Sequence, residues 1–276
     1  MTRILTAGLL IGTLTAFSSC MKNEVRDIPP PVTEVPAGYL ARVEWDNGMK
    51  GYFDYNGGVN TLKSIQYIFG GSTGKTVFEW SGSRLSSIAD DGSQFKTVYN
   101  YAPDNKLSST KQMLKSGSGD GSYLLEYTYN PDATVDSLKY YTISGSVKTL
   151  MSQSGYIYDT AGDLSEVVTE TSNGTIRSII ESYSAELLVA PEMYLDVVLS
   201  DSYMIYNLPV LSQNNKLPTK ITRMVKAGAG SFTTDKIQEV EFTLAAKKVL
   251  KTKTTITYPT LPGSNTVVVA NYVYQP

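Results

Sequence analysis

Three stretches of the chain repeat one pattern at equal length: a tyrosine, any residue, a second tyrosine, five polar turn residues and an aliphatic residue. They span residues 99–107, 127–135 and 156–164. Residues two apart on a strand point to the same face, so the two tyrosines of each copy share a face. Equal length indicates one turn geometry. The pattern therefore predicts repeated β-hairpins in an antiparallel sheet, with aromatic pairs along one face.

The turn residues support a shared geometry in two of the three copies. Pro103 and Pro131 carry the φ that the second position of a type I turn requires. The position two residues later favours a left-handed backbone, and Asn105 and Gly162 suit it. The copy with Ala133 at that position is expected to turn differently.

Two looser copies precede these three. Residues 78–85 form a copy one residue shorter, and residues 53–62 form one that is one residue longer. The spacing suits two strands and two turns per repeat, which is typical of a repetitive architecture. We therefore expect an all-β fold: a large curved antiparallel meander sheet, open or barrel-like, with at most one or two short helices.

The N-terminus has the features of an export signal. Residues 1–19 combine Arg3, an apolar run too short to span a membrane as a helix, and a small-residue end. Cys20 is the only cysteine, and its position resembles a bacterial lipobox, which implies cleavage before Cys20 and lipidation of its thiol. The alternative is an ordinary signal peptide with an incidental cysteine. The proline-containing residues 20–38 fit an extended tether.

The 156–164 copy resembles the YD repeat, Tyr-x-Tyr-Asp-x-x-Gly-Arg-Leu, with Asp163 in place of arginine. YD repeats build antiparallel hairpins in large sheets such as Rhs-type shells. In a lipoprotein of this length the pattern is also similar to a Bacteroidota family of unknown function with an open, porin-like β fold. The resemblance covers about residues 40–170 and carries no catalytic residues. It implies a lipid anchor in the outer membrane, and either a periplasmic or a surface-exposed face.

The remainder is expected to form one β-rich domain over residues 39–276. Hairpin repeats occupy 39–182, an irregular insert 183–217, and closing strands 218–276. Alternation over 238–244 predicts a strand with one wet face. In the insert, residues 191–199 fit a short helix or a strand, and such a segment is a natural cover for a concave sheet.

The composition excludes several chemistries. The chain has no histidine, which removes Ser-His-Asp and Cys-His systems and the typical zinc, copper and non-haem iron sites. The acids near Asp90, Asp159 and Asp163 do not form a calcium loop and are read as turn residues, so no metal or cofactor is expected. Basic side chains (24) do not outnumber acidic ones (26) and form no block, which makes nucleic-acid binding improbable.

The leading hypothesis is a non-enzymatic, lipid-anchored cell-envelope protein that binds a glycan, peptide or lipid, or has a structural role. Two alternatives are a carrier of lipid or lipoprotein acyl chains and a glycoside hydrolase with paired carboxylates. Asp-Ser-Leu and Asp-Thr-Ala triplets mark Ser137 and Thr160 as possible O-glycosylation sites. Twenty tyrosines against seven phenylalanines suit a partly wet aromatic surface. The candidate binding residues are Tyr99, Tyr101, Tyr127, Tyr129, Tyr156, Tyr158 and Trp80.

Overall fold

A computed structural model describes residues 38–57, 61–117, 120–187 and 216–276. Within these ranges, sixteen antiparallel strands form a closed barrel in which each strand pairs with its neighbours in sequence, and the first pairs with the last. The strands are β1 Leu40–Trp45, β2 Lys50–Tyr55, β3 Leu62–Phe69, β4 Ser72–Ser81, β5 Arg84–Asp90, β6 Phe95–Tyr101, β7 Leu107–Leu114, β8 Asp120–Tyr129, β9 Val135–Ser144, β10 Val147–Tyr158, β11 Leu164–Thr171, β12 Gly174–Tyr183, β13 Pro218–Ala227, β14 Thr233–Ala245, β15 Lys248–Thr257 and β16 Thr266–Tyr274. The only helical element in the described ranges is a short 3-10 turn, Pro262–Ser264. The all-β meander is confirmed, and of the two expected forms the closed one is observed.

All three equal-length turns share one geometry. Asn105, Ala133 and Gly162 have φ values of 69°, 71° and 83°. Each of their N–H groups donates to the carbonyl three residues earlier, at 2.9 to 3.0 Å. The expectation that the Ala133 copy turns differently is therefore wrong.

Side-chain hydrogen bonds explain how Ala133 is held in a left-handed conformation. The Asn130 amide donates to the Thr134 hydroxyl at 3.0 Å. Asp132 accepts from both the N–H and the hydroxyl of Thr134, at 3.0 and 2.7 Å. These bonds clamp the residues on both sides of Ala133, so the turn imposes a conformation that alanine alone disfavours.

Every return strand begins with a β-bulge. In the β6–β7 hairpin, Leu107 lies opposite Tyr101 and Thr110 opposite Tyr99, so the return strand carries one extra residue. As a result, Leu107 and Thr110, which are three positions apart in the return strand, lie on the same face of the sheet as Tyr99 and Tyr101. A register shift occurs at the equivalent place in all eight such strand pairs, including β16 with β1.

The N-terminal strand closes the barrel by completing the last repeat. Leu40 and Val43 of β1 lie opposite Tyr274 and Tyr272 of β16, as return-strand residues do in the hairpins. We call the end of the barrel where the aromatic pairs lie the motif end, and the opposite end the far rim. The chain enters β1 at the motif end, and the insert between β12 and β13 also leaves and re-enters there. Residues 1–37 and 188–215, and with them Cys20 and the predicted 191–199 element, lie outside the described residues.

The face that carries the aromatics is buried. It holds at least one residue below a tenth exposure in every strand. No second layer of helix or sheet covers the outside of the barrel within the described ranges, so the buried face is the interior. A round sixteen-stranded barrel leaves an aqueous channel. Here the interior of the motif end is filled by packed side chains of the hydrophobic core.

Candidate functional site at the aromatic end of the barrel

The first aromatic residue of each pair belongs to the core. Tyr99, Tyr127 and Tyr156 are 6, 8 and 6% exposed. Burial raises the pKa of Tyr127 and Tyr156 well above the ordinary tyrosine value, so both hydroxyls stay protonated. A binding surface must be reachable by its ligand, and these three members of the candidate set are not.

The second aromatic residue of each pair links neighbouring repeats. Its ring is half-buried, except that of Tyr55, which is 3% exposed. Its polar hydrogen goes to the carbonyl of the aliphatic residue, Leu or Val, that lies within the first two residues of the return strand in the preceding repeat. A bulge locally disrupts the strand ladder, which makes that carbonyl available. We call this ring of residues the aromatic girdle. Its bonds are Tyr55 to Leu40 (3.0 Å), Trp80 to Leu62 (2.6 Å), Tyr101 to Leu85 (2.9 Å), Tyr129 to Leu107 (2.8 Å), Tyr158 to Val135 (3.1 Å), Tyr183 to Leu164 (2.5 Å) and Tyr274 to Val249 (2.9 Å).

The girdle has one gap. In β14 the equivalent position, opposite Val249, is Leu244, which has no hydrogen to donate and is 38% exposed. The carbonyl that a tyrosine would reach there belongs to Pro218, the first residue of β13. The gap therefore lies beside the place where the insert re-enters the barrel.

In three repeats, the residue immediately before the girdle acceptor covers the girdle ring of the next repeat. Arg84 lies over Tyr101 with 5.6 Å between Cζ and the ring centroid, and Lys106 lies over Tyr129 at 5.3 Å. Lys248 likewise lies over Tyr274 at 5.0 Å. This is the position of the arginine in the YD pattern. Cation–π contacts of this kind occupy the ring faces that a sugar would stack on.

Asp163 occupies the same position in the copy that most resembles a YD repeat. It is 8% exposed, and the Lys216 ammonium donates to its carboxylate at 2.8 Å. Lys216 thus places a cation beside the Asp163 carboxylate from the other side of the insert. That hydrogen bond raises the pKa of Lys216. Burial, followed by the nearby charges of Asp163 and Asp159, raises the pKa of Tyr183.

Two candidate binding residues remain without a cation over the ring among the described contacts, Trp80 and Tyr158. Their polar hydrogens are already committed to backbone carbonyls. Burial raises the pKa of Tyr158, and of the equivalent Tyr129, to about 12. At neutral pH these hydroxyls are donors held in place and not acids or bases. Among the seven candidate binding residues, glycan stacking is therefore limited to the half-buried rings of Trp80 and Tyr158.

The proposed glycosylation sites differ in accessibility. Thr160 is exposed in the turn between β10 and β11. Ser137 is partly buried in β9, and its hydroxyl is within 2.6 Å of the Thr128 hydroxyl. Thr160 is therefore the more accessible acceptor of the two.

The outer face of the barrel is charged. Glu166 lies opposite Ile157, which alternates with the buried Tyr156, so both belong to the outside. Arg177 makes a bidentate pair with Glu166 at 2.5 and 2.7 Å. The other cross-strand pairs of the outer face include Lys148 with Glu126 (2.6 Å), Lys253 with Glu241 (2.7 Å) and Lys63 with Asp54 (3.1 Å). Exposed pairs of this kind add little stability.

One sector of the interior is polar. Beyond the aromatic layer on β10 to β14, the hydroxyls of Ser154 and Thr169 lie 2.8 Å apart, and Gln238 is 2% exposed. The Ser178 hydroxyl is fully buried and has no hydrogen-bond partner among the described residues. It lies opposite Arg223, which pairs with Asp235 at 2.7 Å. Within the described ranges no three histidine, acidic or sulfur side chains converge as metal ligands.

The chain matches no protein-family model and no curated protein. Two crystal structures share its fold. One is a porin-like protein from Bacteroides uniformis with 11% identity and a TM-score of 0.57, covering 87% of this chain and 98% of that one. The other is a porin-like protein from Bacteroides vulgatus with 16% identity and a TM-score of 0.57, covering 87% and 99%. The fold of this chain is that of these porin-like proteins.

No helix among the described residues is long and apolar enough to cross a membrane.

Sequence reasoning identified the aromatic pairs but missed what they contact. The girdle acceptors lie in the preceding repeat, and no local pattern names them. One signal was available: Arg84, Lys106 and Lys248 each stand immediately before a return-strand aliphatic. A cation repeated at that position beside repeated tyrosines indicates a ring contact.

Proposed function

We propose that this chain is a lipid-anchored, non-enzymatic cell-envelope protein whose barrel stands in water and serves as a binding module. The observation that carries the proposal is the polarity of the two faces. A membrane-spanning barrel turns an apolar band toward lipid and a polar face toward its lumen. Here the apolar aromatic face lies inside and the charged face outside.

The cost of inserting this outer face into lipid supports an aqueous barrel. Charged side chains on the lipid face cost about 2–4 kcal/mol each at the membrane midplane for Arg and Lys. Lys148, Arg177 and Lys253 lie on three separate strands of that face. Such a surface favours water over hydrocarbon.

The hydrogen bonds and ion pairs of the polar side chains support binding over catalysis. The girdle tyrosine hydroxyls donate to backbone carbonyls, and burial raises the pKa of Tyr101, Tyr129, Tyr158 and Tyr183. The outer carboxylates Glu126, Glu166 and Glu241 pair with cations on neighbouring strands. These groups therefore lack the freedom that an acid, base or nucleophile needs. The Bacteroides proteins of the same fold are described as porin-like, which is in keeping with an envelope protein.

The tether sets the orientation of the barrel in this proposal. The lipid is on Cys20, and the chain enters β1 at Leu40, at the motif end. Residues 20–38 can extend to roughly 60 Å when fully stretched. The barrel thus stands off the membrane with its far rim toward the aqueous phase, where a glycan, peptide or lipid ligand can reach it.

The proposal is tested by comparing the full chain with Cys20→Ser in a host that processes lipoproteins. We expect the wild-type protein to fractionate with membranes and to need detergent for extraction. We expect Cys20→Ser to be released without detergent as a monodisperse β-rich protein. A Cys20→Ser protein that still requires detergent, or that forms conducting pores in planar bilayers, would show that the barrel itself enters lipid.

A further inference from the structure

The β9–β10 hairpin extends beyond its neighbours at the far rim. β10 pairs with β9 from Val147 onward, but it pairs with β11 only from Ser152 onward. Among the described strands, residues 147–151 therefore have a partner on one side only. An unpaired strand edge presents N–H and C=O groups that can pair with another chain.

The turn geometry shows which residues present these groups. Ser144 and Val147 flank the two-residue turn 145–146 and thus form a hydrogen-bonded pair. Bonded and non-bonded pairs alternate from there. Lys148 and Leu150 therefore direct their backbone N–H and C=O groups to the unpaired side.

In the β3–β4 hairpin the bonded and non-bonded pairs alternate from a two-residue turn in the same way, and this hairpin confirms the assignment. Phe69 and Ser72 flank its two-residue turn, which makes Lys75 the counterpart of Leu150. The Lys75 carbonyl indeed points away from β3 and accepts a hydrogen bond of 2.7 Å from the Asp91 N–H. In β4 the outward carbonyl is thus already hydrogen-bonded within the barrel, to the residue that follows β5.

The side chains of the two hairpins differ. Val147, Leu150 and Met151 are large, apolar and 61, 51 and 42% exposed. The counterpart segment 72–75 of β4 is Ser-Thr-Gly-Lys. Protein edges are normally protected by charges, prolines or short length. The one charge in the β10 segment, Lys148, is drawn back toward β8 and β9 by Glu126 at 2.6 Å and by the Tyr141 ring at 3.8 Å.

We propose that residues 147–151 are a docking edge for an extended segment of a partner protein, which adds to the barrel rim as one further strand. In this mode main-chain hydrogen bonds supply affinity, and flanking side chains supply preference. The edge offers five residues with apolar groups on both faces, Val147 on one and Leu150 on the other. The matching segment is short, uncharged and rich in β-branched side chains.

A second copy of this chain fits the edge less well. Two identical edges pair antiparallel about a two-fold axis, which inverts one barrel relative to the other. The motif ends, and with them the tethers of the proposed function, would then point in opposite directions and not to one membrane. The far rim instead faces a partner approaching from the aqueous phase.

The test uses the Cys20→Ser chain and a fluorescent synthetic peptide of alternating valine and threonine between terminal lysines. We expect the peptide to bind and to slow hydrogen exchange at the backbone amides of residues 148–151. Leu150→Pro removes an outward N–H while leaving the pairing with β9 intact. It should weaken binding about tenfold or more, because a main-chain bond is lost and the ring obstructs the edge.

Two further variants make the result specific. Thr73→Pro removes an outward N–H from the β3–β4 hairpin, at the counterpart of Lys148, and should leave peptide affinity unchanged. Leu150→Lys keeps the N–H but places a charge on the edge, and it should also weaken binding. This second variant decides the matter if Leu150→Pro loses its β-sheet circular dichroism.

The proposal fails if exchange slows elsewhere and not at 148–151, or if Leu150→Lys binds as tightly as the parent. A concentration-dependent dimer in sedimentation that Leu150→Lys abolishes would replace the partner with a second copy. The tether of the proposed function bears only on the preference for a partner protein over a second copy of this chain. The peptide experiment is done without lipid, so its failure is distinct from a failure of the anchoring experiment.

Discussion

The hydroxyl of Tyr129 donates a 2.8 Å hydrogen bond to the carbonyl of Leu107, 22 residues earlier in the chain. The bond joins one hairpin to the hairpin before it, and the same link recurs around the barrel. Each repeat is thus held to its neighbour by strand pairing and by an aromatic side chain that satisfies a bulge carbonyl. Stability in such an array is approximately a sum of repeat and interface contributions, so single links can be tested one at a time.

Tyr129→Phe removes the hydrogen bond and keeps the ring. We expect the free energy of unfolding to fall by about 1 kcal/mol, because the Leu107 carbonyl loses its partner in a half-buried site. Urea denaturation followed by circular dichroism measures the change. Tyr258→Phe, at the far rim and outside the girdle, is the matched control. Equal effects of the two substitutions would show that the link contributes nothing.

Leu244→Tyr fills the gap in the girdle. A tyrosine there is expected to reach the Pro218 carbonyl as its counterparts reach theirs, and to raise the free energy of unfolding by roughly 0.5–1.5 kcal/mol. Leu244→Phe separates the ring from the hydroxyl. If the two variants are equally stable, the added hydroxyl has found no acceptor and the girdle is interrupted for a structural reason.

The strands and turns of the repeats were predictable because their causes are local. Residues 99–107 contain the alternation, the turn proline and the left-handed position that together specify one hairpin. The propensity of Ala133 alone predicts a different turn. The bonds made by Asn130, Asp132 and Thr134 outweigh that propensity.

The distribution of buried and half-buried tyrosines was not predictable from the motif. Tyr99 and Tyr101 are the same residue type on the same face, and they differ only in depth below the barrel end. Their partners depend on the stagger between strands that are not adjacent in sequence. Closure of the barrel was not predictable from the sequence either, because it depends on pairing between Leu40 and Tyr274, which are far apart in the chain.

The left-handed turn position allows a paired test in opposite directions. Ala133→Gly should raise the free energy of unfolding by roughly 0.5–1 kcal/mol, because glycine adopts this φ without the penalty of a Cβ. Gly162→Ala should lower it by a similar amount. A Cβ at Gly162 would meet nothing within 4 Å, so its cost is backbone conformation alone. Thermal or urea denaturation of both variants gives the comparison, and same-signed effects would contradict the shared geometry.

Alkaline pH should unfold the barrel through its tyrosines. Burial raises the pKa of Tyr129 and Tyr158 from 10.0 to about 12 in the folded protein. Between these values the unfolded chain releases protons that the folded chain retains, so stability falls as pH rises. The girdle's contribution is complete below pH 10 and is lost progressively toward pH 12. Urea midpoints measured across this window should therefore decline.

Tyrosinate absorbance identifies the residues responsible. We expect a first group of exposed tyrosines to ionise without structural change, and the girdle tyrosines to ionise together with the loss of β-sheet circular dichroism. Tyr129→Phe should reduce the steepness of the decline in stability above pH 10, because one group with a raised pKa has been removed. If all tyrosines titrate near their ordinary pKa while the barrel stays folded, the girdle hydroxyls are not held as the structure shows.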